Sequence, residues 1–170
     1  KKYKMDEDFP VRELLKSEFP KQLREIPQPP NKLFVRGDLP GPNTKLLCVV
    51  GSRKYTNYGK DICEKLIAGL RGYDIAIVSG LAIGIDAIAH RAAMDAGLCT
   101  IAIPGSGLGV EAIHPVGHVG LAEKILNTGG CLLSEFEPDY KATLYGFPQR
   151  NRIMAGYSQA ILIIEAQAKS

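Results

Sequence analysis

The sequence predicts an α/β protein with a Rossmann-like, doubly wound and mainly parallel sheet. Two observations lead to this prediction. Short apolar runs without polar alternation recur along the chain, which is typical of strands buried on both faces. Stretches with helical spacing, closed by glycines, separate most of these runs, as crossover connections between parallel strands require.

Each element follows from its own local pattern. Strands are predicted at 32–37, 46–50, 75–78, 99–103, 131–135 and 160–165. Helices are predicted at about 58–71, 85–96, 119–127 and 149–155, with a short one at 11–19. Residues 1–31, which Phe9-Pro10 and Phe19-Pro20 interrupt, are predicted to form a lead-in to the domain.

The composition indicates one globular domain without a membrane span. The 170 residues are 45% hydrophobic, which is enough for a sizeable core. No run is apolar for long enough to cross a bilayer, and the charged start of the chain does not resemble a signal peptide. The net charge of +3 is mild and does not by itself indicate a nucleic-acid partner.

The four cysteines, Cys48, Cys63, Cys99 and Cys131, are far apart and form no C-x-x-C pair. Three lie in strand-like runs and one in a helix-like run, which favours buried free thiols over disulfides or a metal site. A reducing compartment, the cytoplasm, is therefore expected.

The functional site is expected beyond the carboxyl ends of the strands, as in other parallel α/β sheets. Gly51, Ser52, Arg53 and Lys54 follow the first long strand. A glycine turn, a hydroxyl, free N–H groups and two cations could hold a phosphate. The alternative is a strand-end turn with two solvated basic residues.

The stretch from Ser79 to His90 joins the next strand to its helix. Gly80 and Gly84 are four residues apart, and no G-x-G-x-x-G is present, so the stretch is not a dinucleotide fingerprint. Asp86 and His90 lie one helical turn apart and could form an acid–base pair. The alternative, which we favour, is a helix-capping aspartate and a histidine embedded in the helix.

A cationic platform is predicted at the start of the last helix. Arg150 and Arg152 suit phosphates, and Phe147 offers a face on which a base can stack. The alternative is an arginine pair that packs the helix and bonds to a strand-end carboxylate such as Glu135 or Glu165.

No catalytic constellation is found. The sequence contains no nucleophile elbow, no Walker lysine and no H-E-x-x-H motif. His114 and His118 are spaced poorly for a metal and have no clustered partners, so no metal site is expected. Glycine, serine and arginine at the predicted site suit binding better than bond breaking.

Four linked motifs resemble, in order and approximate spacing, those of the DNA-processing protein A (DprA/Smf) family. They are Gly51-Ser52-Arg53 with Thr56 and Tyr58-Gly59, the stretch from Ser79 to Asp86 with Ala89-His90, Leu133-Ser134-Glu135, and the stretch from Phe147 to Gly156. The lead-in is similar as well, and the resemblance covers residues from about 19 to 170.

The resemblance implies a bacterial cytoplasmic protein that binds single-stranded DNA, does not hydrolyse nucleotides and needs no cofactor. It further implies a role in loading the recombinase RecA onto DNA during natural transformation, and a homodimer in the full-length protein. Arg53 would contact phosphates, Phe147 would stack on a base, and the other implied DNA-binding residues would shape or line the crevice. These others are Gly51, Ser52, Lys54, Ser79, Gly80, Gly84, Arg150, Asn151 and Arg152.

The sequence departs from the family pattern in three places. Thr143-Leu144-Tyr145 replaces a basic residue that often precedes the Phe-Pro, and Ile113-His114-Pro115 stands where a Tyr-Pro is usual. The chain also stops at Ser170, where the family continues. Residues 32–170 are therefore expected to form a Rossmann-like DNA-binding domain whose C-terminal part is missing.

Two other functions remain open from the residues alone. The loop from Pro104 to Glu111 distantly resembles the Pro-Gly-Gly loop of the lysine-decarboxylase-like nucleotide phosphoribohydrolases, in which case Glu111 would be needed for release of a free base. A nucleotide-sensing module would need only the same crevice.

Overall fold

The computed structural model describes residues 4–166, and these form seven strands and six α-helices. The strands are β1 (Arg12–Glu13), β2 (Phe34–Arg36), β3 (Lys45–Gly51), β4 (Ile75–Ser79), β5 (Thr100–Ala102), β6 (Cys131–Ser134) and β7 (Ala160–Ile164). The helices are α1 (Lys4–Asp8), α2 (Lys21–Arg24), α3 (Asn57–Ala68), α4 (Ile85–Asp95), α5 (Val119–Asn127) and α6 (Gly146–Tyr157). Two short 3-10 helices span Lys16–Glu18 and Val116–His118.

All seven strands belong to one sheet, in the order β1-β2-β6-β5-β4-β3-β7. The five strands from β6 to β7 are parallel, whereas β2 pairs antiparallel with β6, and β1 pairs antiparallel with β2. The predicted fold class, an α/β protein with a Rossmann-like and mainly parallel sheet, is confirmed.

Successive residues of the central strands enter cores on opposite faces of the sheet. Ile77 of β4 packs with α3 and α4, whereas its neighbour Val78 packs on the other face with α2 and α6. Helix α5 covers β5 and β6 on the same face as α4. Because both faces are covered, the strands need apolar residues at every position, which explains the continuous apolar runs in the sequence.

The direction of strand addition reverses beside β3. From β3 the chain proceeds through β4 and β5 to β6, and α6 then returns it across the other face to β7, on the far side of β3. Ligands of open α/β sheets bind outside the carboxyl ends of the strands at such a reversal. The loop that begins at Ser52, directly after β3, therefore lies where this architecture places a ligand.

Most predicted elements are confirmed, with small shifts at their ends. Helix α5 has the predicted bounds, and α4 ends one residue early, at Asp95. Helix α6 begins at Gly146, three residues before the predicted start, so Phe147 and Pro148 lie in its first turn. A proline is tolerated there because first-turn N–H groups have no partner within the helix.

The helix predicted at 11–19 is wrong. Arg12 instead pairs with Val35 of β2 in the short edge strand β1, and a 3-10 turn follows at Lys16–Glu18. Leu14 and Phe19 are buried in the same core as α6. Tertiary pairing thus overrides the local helical pattern.

All four cysteines are free thiols, as predicted. Cys48, Cys63 and Cys131 are buried, and Cys99 is half-buried. Burial raises the pKa of the Cys48 thiol to about 12 and that of the Cys63 thiol to about 11. These thiols therefore stay protonated and act as small apolar core groups.

Within residues 4–166 no helix is long and apolar enough to cross a membrane. The same residues contain no cluster of three or more His, Cys, Asp or Glu side chains that could hold a metal ion.

Candidate functional site

Four segments meet beyond the carboxyl ends of the strands and form what we call the crevice: residues 51–54, 79–84 and 104–107, and the first two turns of α6. The first two segments touch through their backbones. Ile85 N donates a hydrogen bond of 3.2 Å to Ser52 O, and a Cβ on Gly84 would lie 2.4 Å from that oxygen. Because Gly84 also has a φ of 84°, only glycine suits this position.

The turn after β3 is held by its own side chains and by β7. Ser52 N donates to Ile164 O, and a Cβ on Gly51 would lie 2.1 Å from the same carbonyl oxygen. The Ser52 hydroxyl donates to Lys54 O at 2.7 Å and accepts from Lys54 N at 3.1 Å. Ser52 therefore fixes the shape of the turn that carries Arg53.

Arg53 and Lys54 are exposed cations at the mouth of the crevice. Within residues 4–166, neither has a carboxylate oxygen within 4 Å. The Arg53 guanidinium carbon lies 5.5 Å from the centre of the Phe147 ring, within the range of a cation–π contact. This end of the crevice therefore offers positive charge that no carboxylate of the described residues neutralises.

Phe147 is half-buried and stands in the middle of the crevice. A Cβ on Gly105 would lie 2.6 Å from its ring, so the glycine lets the 104–107 loop pass close against the ring. The Arg150 guanidinium lies 5.9 Å from the ring centre, and the His114 ring centre lies 5.8 Å away at a tilt of 55°. The predicted stacking residue is thus surrounded by two guanidinium groups and an imidazole.

Arg150 is buried, with 6% of its surface exposed. Its Nη1 donates to Gly80 O at 2.8 Å and to Ile103 O at 2.7 Å, and its Nε donates to Asn151 Oδ1 at 3.0 Å. These bonds attach α6 to the ends of β4 and β5. Arg150 lies below the surface of the crevice, while the Asn151 residue that accepts its bond is exposed.

The Gly80 peptide unit links Arg150 to the buried carboxylate of Asp86. Gly80 N donates to Asp86 Oδ2 at 3.0 Å, and a Cβ on Gly80 would lie 2.6 Å from both that oxygen and Arg150 Nη1. Burial raises the pKa of Asp86, while the positive charge of Arg150 opposes the rise. The backbone of Gly80 therefore joins Arg150 to Asp86 beneath the crevice, with no room for a larger residue.

Arg152 forms an ion pair with a strand-end carboxylate. Its Nη1 and Nη2 donate to the two oxygens of Glu135 at 2.5 and 2.7 Å, and its Nε donates to Gln28 O at 3.1 Å. Arg152 thus bonds to a strand-end carboxylate, which was the alternative to a phosphate contact, and its partner is Glu135 rather than Glu165. The Glu165 carboxylate instead accepts bonds from Thr56 N and Oγ1.

Ser79 and the Asp86/His90 pair also have internal partners. The Ser79 hydroxyl is buried and donates to Val49 O at 2.6 Å, which joins β4 to β3. His90 is fully buried, with Nδ1 2.7 Å from Thr100 Oγ1. The N-cap residue of α4 is Gly84, and Asp86, which was expected to cap this helix, instead accepts a hydrogen bond from Gly80 N in the preceding loop. The two side chains therefore face separate partners.

The sequence did not predict that two further residues lie beside Phe147. Gly105 belongs to the loop from Pro104 to Glu111, which was singled out for another function, and its contact with Phe147 depends on how α6 returns across the sheet. His114 was weighed as a metal ligand and as part of the departure from the family's Tyr-Pro, and neither interpretation predicted that its ring lies against Phe147. Their separation from Phe147 along the chain, more than 30 residues, hides both contacts.

The fold and the crevice define a class: Rossmann-like α/β domains with a basic, aromatic-lined site at the strand-order reversal. The family model described as DNA recombination-mediator protein A matches residues 11–170. This chain belongs to that family, as the sequence motifs predicted.

Individual relatives agree with this assignment. The chain is 43% identical to Protein Smf of Escherichia coli over 156 residues, covering 89% of this chain and 40% of that protein. It is 38% identical to the DNA processing protein DprA of Streptococcus pneumoniae over 162 residues, covering 95% of this chain and 56% of that protein. The chain thus spans about half the length of these relatives.

Two solved structures share the fold. The X-ray structure of DprA from Streptococcus pneumoniae superposes with a TM-score of 0.84 at 36% identity, covering 98% of this chain and 58% of the other. The second is a structure of DNA processing protein A from Helicobacter pylori, described in terms of its single-stranded DNA binding mode. It superposes with a TM-score of 0.82 at 29% identity, covering 95% of this chain and 72% of the other.

Proposed function

We propose that this protein binds single-stranded DNA in the crevice and acts as a recombination mediator that helps load RecA onto DNA during natural transformation. One observation carries the DNA-binding part. The exposed guanidinium of Arg53, which has no carboxylate partner among residues 4–166, lies 5.5 Å from the half-exposed ring of Phe147 at the strand-order reversal. Cations that track the backbone and aromatic rings that stack on bases are the usual means of binding single strands.

The crevice residues divide into two roles in this proposal. Arg53 and Lys54 contact phosphates, and Phe147 stacks on a base. The remaining residues hold these three in place through the backbone and the buried hydrogen bonds described above. This second group contains Gly51, Ser52, Ser79, Gly80, Gly84, Arg150, Asn151 and Arg152.

The affinity of the natural, full-length protein for a fluorescently labelled oligothymidine tests the proposal. Binding should weaken steeply as salt rises, because bound phosphates release counterions. Phe147→Ala should weaken binding about tenfold, consistent with about 1 to 3 kcal/mol per stacked base. Arg53→Ala should weaken binding and make it less dependent on salt, because a phosphate contact is lost. Lys45→Ala is the matched control, because Lys45 is an exposed cation at the opposite end of the same strand.

The proposal fails if the full-length protein does not bind the oligonucleotide at low salt, or if Arg53→Ala binds as tightly as the unchanged protein. The RecA step has its own measurement, the DNA-dependent ATP hydrolysis of RecA on DNA coated with a single-strand-binding protein. Adding the full-length protein should shorten the lag before hydrolysis begins.

The proposal also describes a binder rather than an enzyme, working in the cytoplasm as a homodimer. Light scattering of the full-length protein measures the dimer. Incubation with nucleoside monophosphates tests the enzymatic alternative, since release of free base that depends on Glu111 would favour a phosphoribohydrolase. Glu111 is exposed, and only its backbone oxygen has a described contact, with the Lys141 ammonium.

A further inference from the structure

The ring of His114 is the aromatic neighbour of Phe147 that faces solvent. Its centre lies 5.8 Å from the Phe147 ring centre, and the two planes are tilted by 55°. Offset and tilted pairs at this distance are favourable aromatic contacts. The two rings therefore form one continuous aromatic surface at the crevice.

His114 is held at a defined position although its side chain is exposed. Its backbone N donates to the buried Ser106 Oγ at 3.2 Å, and the preceding Ile113 is 1% exposed. The loop before it is also buried, from Gly105 to Leu108. The imidazole is therefore presented by a rigid segment, which lowers the entropy lost when it contacts a ligand.

The imidazole nitrogens of His114 have no hydrogen-bond partner within residues 4–166, unlike those of its neighbour His118. His118 Nδ1 lies 2.7 Å from Leu81 O, and this contact fixes the ring. An imidazole can both donate and accept hydrogen bonds, so His114 can pair with the polar edge of a base.

We propose that His114 is a further DNA-contacting residue, which together with Phe147 presents an aromatic surface to an unstacked nucleobase. This inference rests on the proposed function. Phe147 stacks on the base, the exposed His114 imidazole contacts the same base from the side, and Arg53 lies beside them to contact the adjoining phosphate. A base inside a duplex is already stacked and paired, so this aromatic surface favours single strands.

Binding of the full-length protein to two labelled oligomers tests the inference: an oligothymidine, and an abasic deoxyribose-phosphate oligomer of equal length. On oligothymidine, His114→Ala should weaken binding about fivefold or more, as loss of a stacking contact does. His114→Tyr keeps a ring and should stay within about twofold. Val116→Ala, two residues along the same loop and 76% exposed, is the control and should match the unchanged protein.

The abasic oligomer separates a base contact from a phosphate contact. His114→Ala should bind it as well as the unchanged protein does, whereas Arg53→Ala should still bind it more weakly. Thermal unfolding should show that His114→Ala is as stable as the unchanged protein, because the alanine backbone keeps the bond to Ser106.

The 170 residues contain no tryptophan, so His114→Trp places a fluorescent reporter beside Phe147. Its fluorescence should be quenched by oligothymidine, measured against the same titration of the unchanged protein. The inference is overturned if His114→Ala binds oligothymidine normally, or loses affinity equally for both oligomers. If the unchanged protein binds neither oligomer, the proposed function itself fails; if only the His114 effects are missing, the proposed function stands without a base contact from His114.

Discussion

The loop after β3 and the first turns of α6 both bring arginines to the crevice, but into opposite surroundings. Arg53 is exposed and has no carboxylate partner within residues 4–166. Arg150 is 6% exposed and donates to two backbone carbonyls, and Arg152 forms a two-pronged ion pair with Glu135. The same residue type thus supplies free charge in one region and holds the backbone together in the other.

This difference shows how the two regions depend on each other. An arginine whose N–H groups are already bonded within the protein must break those bonds before it can bind a phosphate, whereas the Arg53 side chain has no such bond to any of residues 4–166. The bonded arginines fix α6 against β4, β5 and Glu135, and so they hold the Phe147 ring beside Arg53. The four predictions that follow test this division, from the largest expected effect to the smallest.

Arg150→Met should lower the free energy of unfolding by about 3 to 5 kcal/mol, because it leaves two carbonyl oxygens and the Asp86 carboxylate without their buried cation. Urea unfolding at neutral pH measures the loss. Arg53→Met is the matched control and should change stability by no more than about 0.5 kcal/mol. Equal stability losses for the two variants would contradict the division between a structural Arg150 and a free Arg53.

Stability should also depend on pH through His90, which is buried in α4 beneath the loops of the sheet. The Thr100 hydroxyl donates to Ile77 O at 2.9 Å, so His90 Nδ1–H donates to Thr100, and Nε2 is left without a partner among residues 4–166. Burial lowers the pKa of His90 to about 3. The unfolded chain binds this proton below about pH 6.5 and the folded one does not, so stability present above pH 6.5 is lost as the pH falls toward 3.

Between pH 7 and about pH 4.5 this loss should reach about 2 to 3 kcal/mol. His90→Gln removes the titrating group, so its unfolding free energy should fall by correspondingly less over the same range. Chemical unfolding at several pH values compares the two proteins. If the unfolding free energies of the two proteins fall in parallel with pH, His90 does not titrate as its burial predicts.

Arg53→Gln should reduce the salt dependence of DNA binding while leaving stability unchanged. Each phosphate contact contributes about 0.7 to the slope of log affinity against log salt for a single strand, so the slope should fall by about that amount. Lys54→Gln should behave similarly, and Arg152→Gln should leave the slope unchanged. A reduced slope for Arg152→Gln would mean that Arg152 exchanges Glu135 for a phosphate.

Arg152→Lys should produce the smallest effect, a loss of about 1 kcal/mol in the free energy of unfolding. Lysine keeps the charge but cannot form the two parallel bonds to Glu135. The Arg152 side chain is 24% exposed, and solvent weakens the pair. Glu135→Gln should cause a similar loss, and a double-mutant cycle should give a coupling energy of similar size; no coupling would rule out the pair as a stabilising contact.

Much of this architecture was predictable because it depends on local patterns. Apolar runs of four to six residues identified the strands of the parallel sheet, and glycines marked the ends of several helices. The helix predicted at 11–19 was wrong for a physical reason. The β1 pairing of Arg12 with Val35 joins residues more than 20 positions apart, and local periodicity carries no signal of such a pairing.

The family motifs identified the crevice residues from the sequence, and their roles in DNA binding stay predictions. The sequence left open whether Arg150 and Arg152 face a ligand or the protein. Their hydrogen bonds depend on carbonyls and a carboxylate from β4, β5 and β6, which only the folded sheet brings to α6. The His114–Phe147 contact was hidden for the same reason.

The sequence by itself determined the fold class, the family and the segments that form the crevice, because each depends on residues close together in the chain or on motifs in a set order. The tertiary structure decided which cations are free. A guanidinium's availability depends on the acceptors around it, and here those acceptors come from separate strands that meet only when the sheet forms.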